Sequence, residues 1–364
     1  MASIVKLAKG YRARWRTPDG QSRSKTFERR GDAEKFLTKT DHAKLTGDYV
    51  DPQAGRVTVK DYADEWVASQ VWRASTTVHI EGVLNNHVYP VFGDRRIASV
   101  RSGEVQGFVR KLTDTHAPGT VRNVYGVLAS VYVSAVRDSV ISKSPCLGVK
   151  LPVAPRRQVV PLTLEQVEAV AEVIGEHYRP LVVLGAGAGL RIGEALGLDI
   201  ARIDFMGRQL SVTQQAVTVR KVTTLGAPKT ETSIRTVPLA NSVLSELAAY
   251  LAAREDRTGL LVTDDDGKPI PQNRFSQTWA RAIVRAGLPK GTRFHDLRHT
   301  FASALIANGC SVKAVQAALG HKSAAMTLDI YSHLWPSDED RTRAAVEAFL
   351  RPVSDSCHAP GQEG

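Results

Sequence analysis

Apolar and polar positions alternate in three short runs near the N-terminus: Ile4 to Leu7, Tyr11 to Arg16 and Ser22 to Phe27. Lys9-Gly10 and Pro18-Asp19-Gly20 separate them. A period of two bounded by turn residues predicts a three-stranded sheet. The spacing then lengthens, and Gly31 to Thr46 reads as a helix whose apolar face, Ala33, Phe36, Leu37 and Ala43 to Leu45, covers the sheet. From Thr58 the pattern is helical. Thr58-Val-Lys-Asp61 resembles a capping box, and Tyr62, Trp66 and Val67 recur at helical spacing. Further helices fit Thr76 to Tyr89, Ser102 to Leu112 and Thr120 to Val140, broken at Pro90 to Asp94 and at His116-Ala-Pro-Gly119, which makes a four-helix domain. Ser142 to Val160 contains Pro145, Pro152, Pro155 and Arg156-Arg157 without periodicity and reads as an exposed linker.

Thr163-Leu-Glu-Gln166 is a second capping box and opens a mixed, mainly helical region. Gln209 to Val222 and Lys229 to Pro238 are rich in Val and Thr and predict a β-ribbon around Leu225-Gly226-Ala227. Helices fit Asn241 to Arg254, Asn273 to Ala286, Asp296 to Asn308, Val312 to Leu319 and Ala324 to Leu334. Asp338 to Leu350 is amphipathic through Ala344, Ala345, Val346, Phe349 and Leu350, and the polar tail beyond Pro352 is expected to be disordered. The fold class is therefore multidomain, mainly α with small β-sheets. Its parts are a sheet-plus-helix domain over 1–55, a four-helix domain over 56–145, a linker over 146–160, an α-rich domain over 161–352 and a tail over 353–364.

Charge adds a partner to this picture. The 364 residues carry 48 Lys+Arg against 37 Asp+Glu, a net +11, and 43% hydrophobic content excludes a disordered chain. The first fifty residues hold 12 of those cations and 6 of the acids, a local +6, so the small sheet has its own task. Arg12, Arg14, Trp15, Arg16, Arg23 and Lys25 lie on its alternating strands, with Arg14 and Arg16 on one side of one strand. Such a face either enters a nucleic-acid groove or merely keeps the protein soluble, and the concentration of charge favours the groove. Cys146, Cys310 and Cys357 are odd in number and widely spaced, which argues against a disulfide framework and a zinc site. No apolar run reaches the roughly 18 residues of a spanning helix, and the N-terminus lacks a signal-peptide core, so a cytoplasmic protein is expected.

Four patterns in the last domain stand in order: Gly189-Leu-Arg191-Ile-Gly-Glu194, Pro228-Lys229-Thr230, His295-Asp-Leu-Arg298-His-Thr300, and Leu319-Gly-His321-Lys followed ten residues later by Tyr331. In these the chain resembles the tyrosine recombinase family, and its helical domain and basic N-terminal sheet resemble the layout of the arm-binding, lambda-like phage-integrase branch. The resemblance implies that Arg191, Lys229, His295, Arg298, His321 and Tyr331 are the catalytic set. It also implies a helical core-binding domain that shares the DNA with an α-rich catalytic domain. Taken singly, each residue has an ordinary reading: Arg191 salt-bridged to Glu194, His299 a core or surface histidine, Tyr331 packed by Ile330 and Leu334, Lys229 solvated like Lys221 on the same ribbon. Their co-occurrence in order and spacing carries the assignment.

The chemistry is consistent with it. Cutting a phosphodiester without a metal needs cations on the non-bridging oxygens of a pentacoordinate transition state, and the planar fork of arginine suits Arg191 and Arg298 to this. Tyr331 is the nucleophile candidate, and because a phenol has a pKa of about 10 it needs a proton acceptor, for which His295 is the first choice. Lys229 would protonate the departing oxygen, and Glu194 would brace an arginine. The resemblance implies a 3'-phosphotyrosine and a free 5'-hydroxyl, and resealing without ATP, cofactor or metal. Arg12, Arg14, Arg16, Arg23, Lys25, Arg156, Arg157 and Arg235 are the cations expected on DNA. The expected partners are double-stranded attachment sites of core and arm type, a homotetramer in the synaptic complex, a host DNA-bending factor and a recombination directionality factor, all in a bacterial host's cytoplasm. In relatives a C-terminal segment packs on the neighbouring subunit; whether Asp338 to Leu350 does so or folds back is open. A chromosome-dimer resolvase would resemble only the last two domains. A non-catalytic DNA-binding relative would not need all six catalytic positions, and a metal-dependent nuclease would need a carboxylate cluster that the sequence does not offer in order.

Overall fold

The computed structural model describes residues 2–47, 49–153, 159–228, 230–335 and 339–350. It divides into two compact units, 1–156 and 157–364. In the first unit β1 (Ser3–Lys6), β2 (Tyr11–Arg16) and β3 (Ser22–Phe27) form an antiparallel sheet in that order. Gly10 turns the first hairpin at φ +99°, and a Cβ there would lie 2.3 Å from the Phe27 carbonyl oxygen, so only glycine fits. Helix α1 (Arg30–Leu45) covers one face of the sheet: Ala33 and Leu37 are buried, and Trp15 meets Phe36 edge-on at 5.0 Å. The apolar face ends a turn earlier than expected, with Thr40 buried and Leu45 exposed.

The helical part of this unit comprises α2 (Val59–Ala68), α3 (Ala74–Val83), α4 (Tyr89–Phe92), α5 (Ser102–Thr115) and α6 (Pro118–Arg137) around Trp66, Phe92, Phe108, Leu128 and Tyr132. Thr58 caps α2 by accepting from the Asp61 amide. The break expected at Pro90 is absent. A π-turn over Leu84–Val88 joins α3 to α4 and puts Pro90 in the first turn of α4, where the missing amide proton costs little.

The second unit contains α7 (Leu164–Val173), α8 (Arg179–Ala188), α9 (Ile192–Leu196), β4 (Ile203–Asp204), β5 (Gln209–Val212), β6 (Gln215–Val219), β7 (Val222–Gly226) and β8 (Arg235–Pro238). Helices α10 (Asn241–Ala252), α11 (Gln272–Arg285), α12 (Phe294–Ala307), α13 (Val312–Leu319), α14 (Ala324–Tyr331) and α15 (Glu339–Leu350) follow. Sequence periodicity does not separate α8 and α9 because α8 is apolar nearly all round and buried. A Cβ on its Gly185 would lie 2.7 Å from Leu297 Cδ1, so the small residues of α8 allow α12 to pack close. The ribbon also differs from expectation. β4, β5 and β8 make one sheet and β6 and β7 a separate hairpin. That hairpin turns at Arg220 and Lys221, both left-handed at φ 47° and 71°, while Leu225 and Gly226 lie within β7. Two consecutive left-handed residues give the twist a two-residue hairpin needs. The apolar side chains of α15, Val346, Phe349 and Leu350, are exposed in this chain. The tail expected beyond Pro352 lies outside the described residues. Among the described residues no helix is long and apolar enough to cross a membrane.

Candidate active site

Two helices end in left-handed glycines, each followed closely by a site candidate. Helix α8 stops at Gly189 (φ 63°) and α13 at Gly320 (φ 62°). Arg191 follows the first as the N-cap of α9, and His321 follows the second directly. Arg298, delivered by α12 and only 1% exposed, joins the two ends: its Nη1 donates to the Gly189 carbonyl at 2.6 Å and its Nη2 to the Leu319 carbonyl. A guanidinium between two helix C-termini is favoured by their dipoles. Burial first, then the charges of Arg191 and Arg235, lower the Arg298 pKa, yet an arginine so bonded keeps its proton.

Glu194 organises the remaining cations. It accepts from Arg191 Nη1 at 2.8 Å and from the Arg191 amide at 3.0 Å, and its other face takes Arg235 Nη2 at 3.0 Å. Arg235 also donates to the Ala318 carbonyl at 2.8 Å. Burial alone would push the Glu194 carboxyl up; the hydrogen bonds and charge of Arg235, helped by Arg191, reverse this and hold it below the ordinary carboxylate value. Arg235 was expected to touch DNA. The structure instead buries it against Glu194, because a carboxylate this deep needs a second cation. Arg191 keeps about a third of its side chain exposed.

Tyr331 closes α14 at 1% exposure. Its ring stacks with His321 at 6.4 Å, and its Oη lies 2.7 Å from Nδ1 of His299. Burial pushes the phenol up to about 12 despite the opposing charges of Arg298 and Arg191. His321 is buried, its Nδ1 lies 2.9 Å from Thr327 Oγ1, and burial followed by the nearby arginines lowers its pKa to about 4. If Thr327 donates to that nitrogen, the imidazole is neutral with Nε2–H free to donate. His295, the histidine expected at the phenol, stands one turn before His299 on α12 with its ring 4.8 Å away, and the hydrogen bond described at Tyr331 Oη is shared with His299. Sequence reading gave His299 only the part of a core or surface histidine; its place four residues after His295, which puts both on one helix face, was the signal that could have found it. Lys229 lies outside the described residues; beyond it, Thr230 Oγ1 meets Ser233 Oγ at 2.9 Å.

Strand register sorts the cations of the N-terminal sheet. Trp15 pairs with Arg23 and Ala13 with Lys25, so Arg23 and Lys25 share the face that α1 covers. Arg23 there holds Asp51 at 2.7 Å, and Lys25 Nζ sits 5.2 Å from the Phe36 ring. Arg12, Arg14 and Arg16 occupy the opposite face beside Ser22, Ser24 and Thr26. The cations expected to form one basic face therefore divide: the three β2 arginines stand on one side of the sheet, and Arg23 with the exposed Lys25 on the other. Arg156 and Arg157 lie outside the described residues.

Comparison with known proteins agrees with this fold. Residues 157–337 match the phage integrase family and 59–150 the phage integrase central domain. The integrase of Mycobacterium phage L5 is 28% identical over 347 residues, covering 91% of each chain. A XerC-like tyrosine recombinase from Caldanaerobacter subterraneus subsp. tengcongensis is 29% identical over 78% of this chain and 81% of its own. Among solved structures, the Tn1549 transposon integrase in complex with transposon right end DNA superposes at a TM-score of 0.69 with 23% identity, over 81% of this chain and all of that one. A lambda integrase dimer bound to a COC' core site gives 0.61 with 16% identity, over 92% and 96%. Fold and relatives together define a tyrosine-type site-specific recombinase, an enzyme that breaks and rejoins DNA strands. The chain belongs to the phage integrase family.

Proposed function

We infer that Tyr331 is the nucleophile of this recombinase and that Arg191, Arg298 and His321 bind the scissile phosphate. The observation that carries the reading is the packing of Tyr331 against His321, beside an arginine that bridges the ends of α8 and α13. Attack by Oη forms the 3'-phosphotyrosine and breaks the bond to the 5'-oxygen, which takes its proton from Lys229. The arginines and the Nε2–H of His321 stabilise charge on the non-bridging oxygens. His295, exposed on the same helix as Arg298, meets the phosphate. Glu194 and Arg235 hold Arg191 in place.

Residues 56–145 and 161–352 grip core-type sites, and the β2 arginines bind arm-type sites. Exposed Val346, Phe349 and Leu350 of α15 suit packing on a neighbouring subunit in a tetramer on two DNA segments. A host DNA-bending factor and a directionality factor complete the reaction in the cytoplasm of a bacterial host. The test is a nicked core duplex, selected from a randomised library by the full-length protein, on which the wild type should form a covalent adduct resistant to denaturation. Tyr331→Phe should bind the duplex and form none. An adduct in that variant would move the nucleophile to another hydroxyl.

A further inference from the structure

Tyr331 must lose a proton as it bonds to phosphorus, in a place where burial makes the free phenolate costly. The group at hydrogen-bond distance from that proton is His299, with Nδ1 at 2.7 Å and ring centroids 5.6 Å apart at 66°. Its setting is defined on each side that the structure describes. His295 stacks edge-on at 4.8 Å from the same helix, Arg298 and Asp296 are its charged neighbours on α12, and Tyr331 faces it from α14, backed by His321. Burial lowers the pKa of His299, offset by Asp296 and reinforced by Arg298, so the ring is neutral at physiological pH and has a lone pair to offer.

We propose that His299 is a catalytic residue, its Nδ1 taking the phenolic proton as Tyr331 Oη bonds to phosphorus and returning it when the ester is resolved. The step balances. The O–H bond of Tyr331 breaks as the O–P bond forms, the proton passes to Nδ1, the P–O5' bond breaks, and the 5'-oxygen takes a separate proton from Lys229. Rejoining by a 5'-hydroxyl runs the same transfers backwards. The role rests on Tyr331 being the nucleophile.

The experiment measures adduct formation by the full-length protein on the selected nicked duplex and on the same duplex with sulfur as the bridging 5'-atom, with Tyr331→Phe alongside. General-base removal typically costs about 10²- to 10⁴-fold, so His299→Ala should lose that much rate while binding the duplex as wild type does. The sulfur substrate should not restore it, because a better leaving group does nothing for the phenolic proton. The deficit should shrink between pH 7 and pH 9.5 as hydroxide takes over. His299→Asn retains a hydrogen-bond acceptor near the Nδ1 position without a basic nitrogen, and should be as slow as His299→Ala. That variant also gives the answer if His299→Ala fails to fold. Wild-type rates in His299→Ala, recovery by His299→Asn, or rescue by the sulfur substrate would each overturn the proposal; the second would leave His299 a positioning residue. An absent wild-type adduct would instead sink the assignment of Tyr331, so the two failures are told apart.

Discussion

Glu194 and Arg235 form an ion pair of 3.0 Å with side chains only 2% and 5% exposed, and Arg191 shares the same carboxylate from its solvent side. The pair is therefore a buried anchor for the part-exposed guanidinium of Arg191.

Removing one partner leaves the other buried and unpaired, which costs about 3–5 kcal/mol in comparable sites. Arg235→Met alone should lower the stability of the second unit by that order. The double variant Glu194→Met with Arg235→Met should recover much of the stability, since apolar replacement of a buried pair is often neutral. It should not recover cleavage, because Arg191 would still lack its brace. Urea unfolding and adduct formation on the nicked duplex measure the two effects, and a double variant that cleaves normally would show that Arg191 needs no support.

The placing of His321 also depends on backbone that only glycine adopts easily. Gly320 is left-handed, and a Cβ on it would lie 2.9 Å from the Thr232 carbonyl oxygen. Gly320→Ala should cost about 1–3 kcal/mol and slow cleavage as His321 shifts. Gly126→Ala, in the interior of α6 with nothing within 4 Å of its Cβ, should stabilise by up to about 1 kcal/mol and leave cleavage unchanged. Denaturant midpoints and adduct rates would show it; equal effects at the two sites would deny Gly320 its role.

At the N-terminal sheet, Arg14→Ala and Arg16→Ala should each weaken arm-site binding and reduce the slope of log affinity against log salt by about 0.9 for every phosphate no longer neutralised. Lys25→Ala should leave the slope alone, since Lys25 lies over Phe27 and Phe36 on the α1 side. Titrations at several salt concentrations separate the two classes. A slope lowered by Lys25→Ala as much as by Arg14→Ala would mean that DNA also reaches the α1 side of the sheet.

These contrasts show what the sequence could carry. Arg191, Arg298, His321 and Tyr331 stood out as candidates because each sits in a short motif whose order survives without tertiary information, and Thr58 and Thr163 marked helix starts that formed. That Arg23 and Lys25 stand on the opposite face from the β2 arginines was not legible, because a period of two fixes alternation within a strand, while the register between strands decides which face it joins. The hairpin turn was missed because Arg220 and Lys221 adopt left-handed backbone without the Gly, Asn or Asp that usually signals it. Arg235 could not be told from a surface cation until Glu194, forty-one residues away in sequence, was brought beside it.

Stability should fall on acidification through the site itself. His321 ordinarily titrates at 6.5 and in the fold at about 4. Between those values the unfolded chain binds a proton that the folded chain refuses, so stability rises with pH across the window. The contribution is complete above about pH 6.5 and is lost as pH falls towards 4. At 1.36 kcal/mol per unit it is at most about 3 kcal/mol, and buried carboxylates such as Glu194, with its pKa held down, add to the loss at the acid end. His321→Asn removes the imidazole, so the difference in unfolding free energy between the variant and the wild type should narrow from pH 7.5 to pH 5. A difference that stays constant over that range would show that His321 accepts a proton in the folded state as readily as in water. Its neutral role beside Thr327 and Tyr331 would then be wrong.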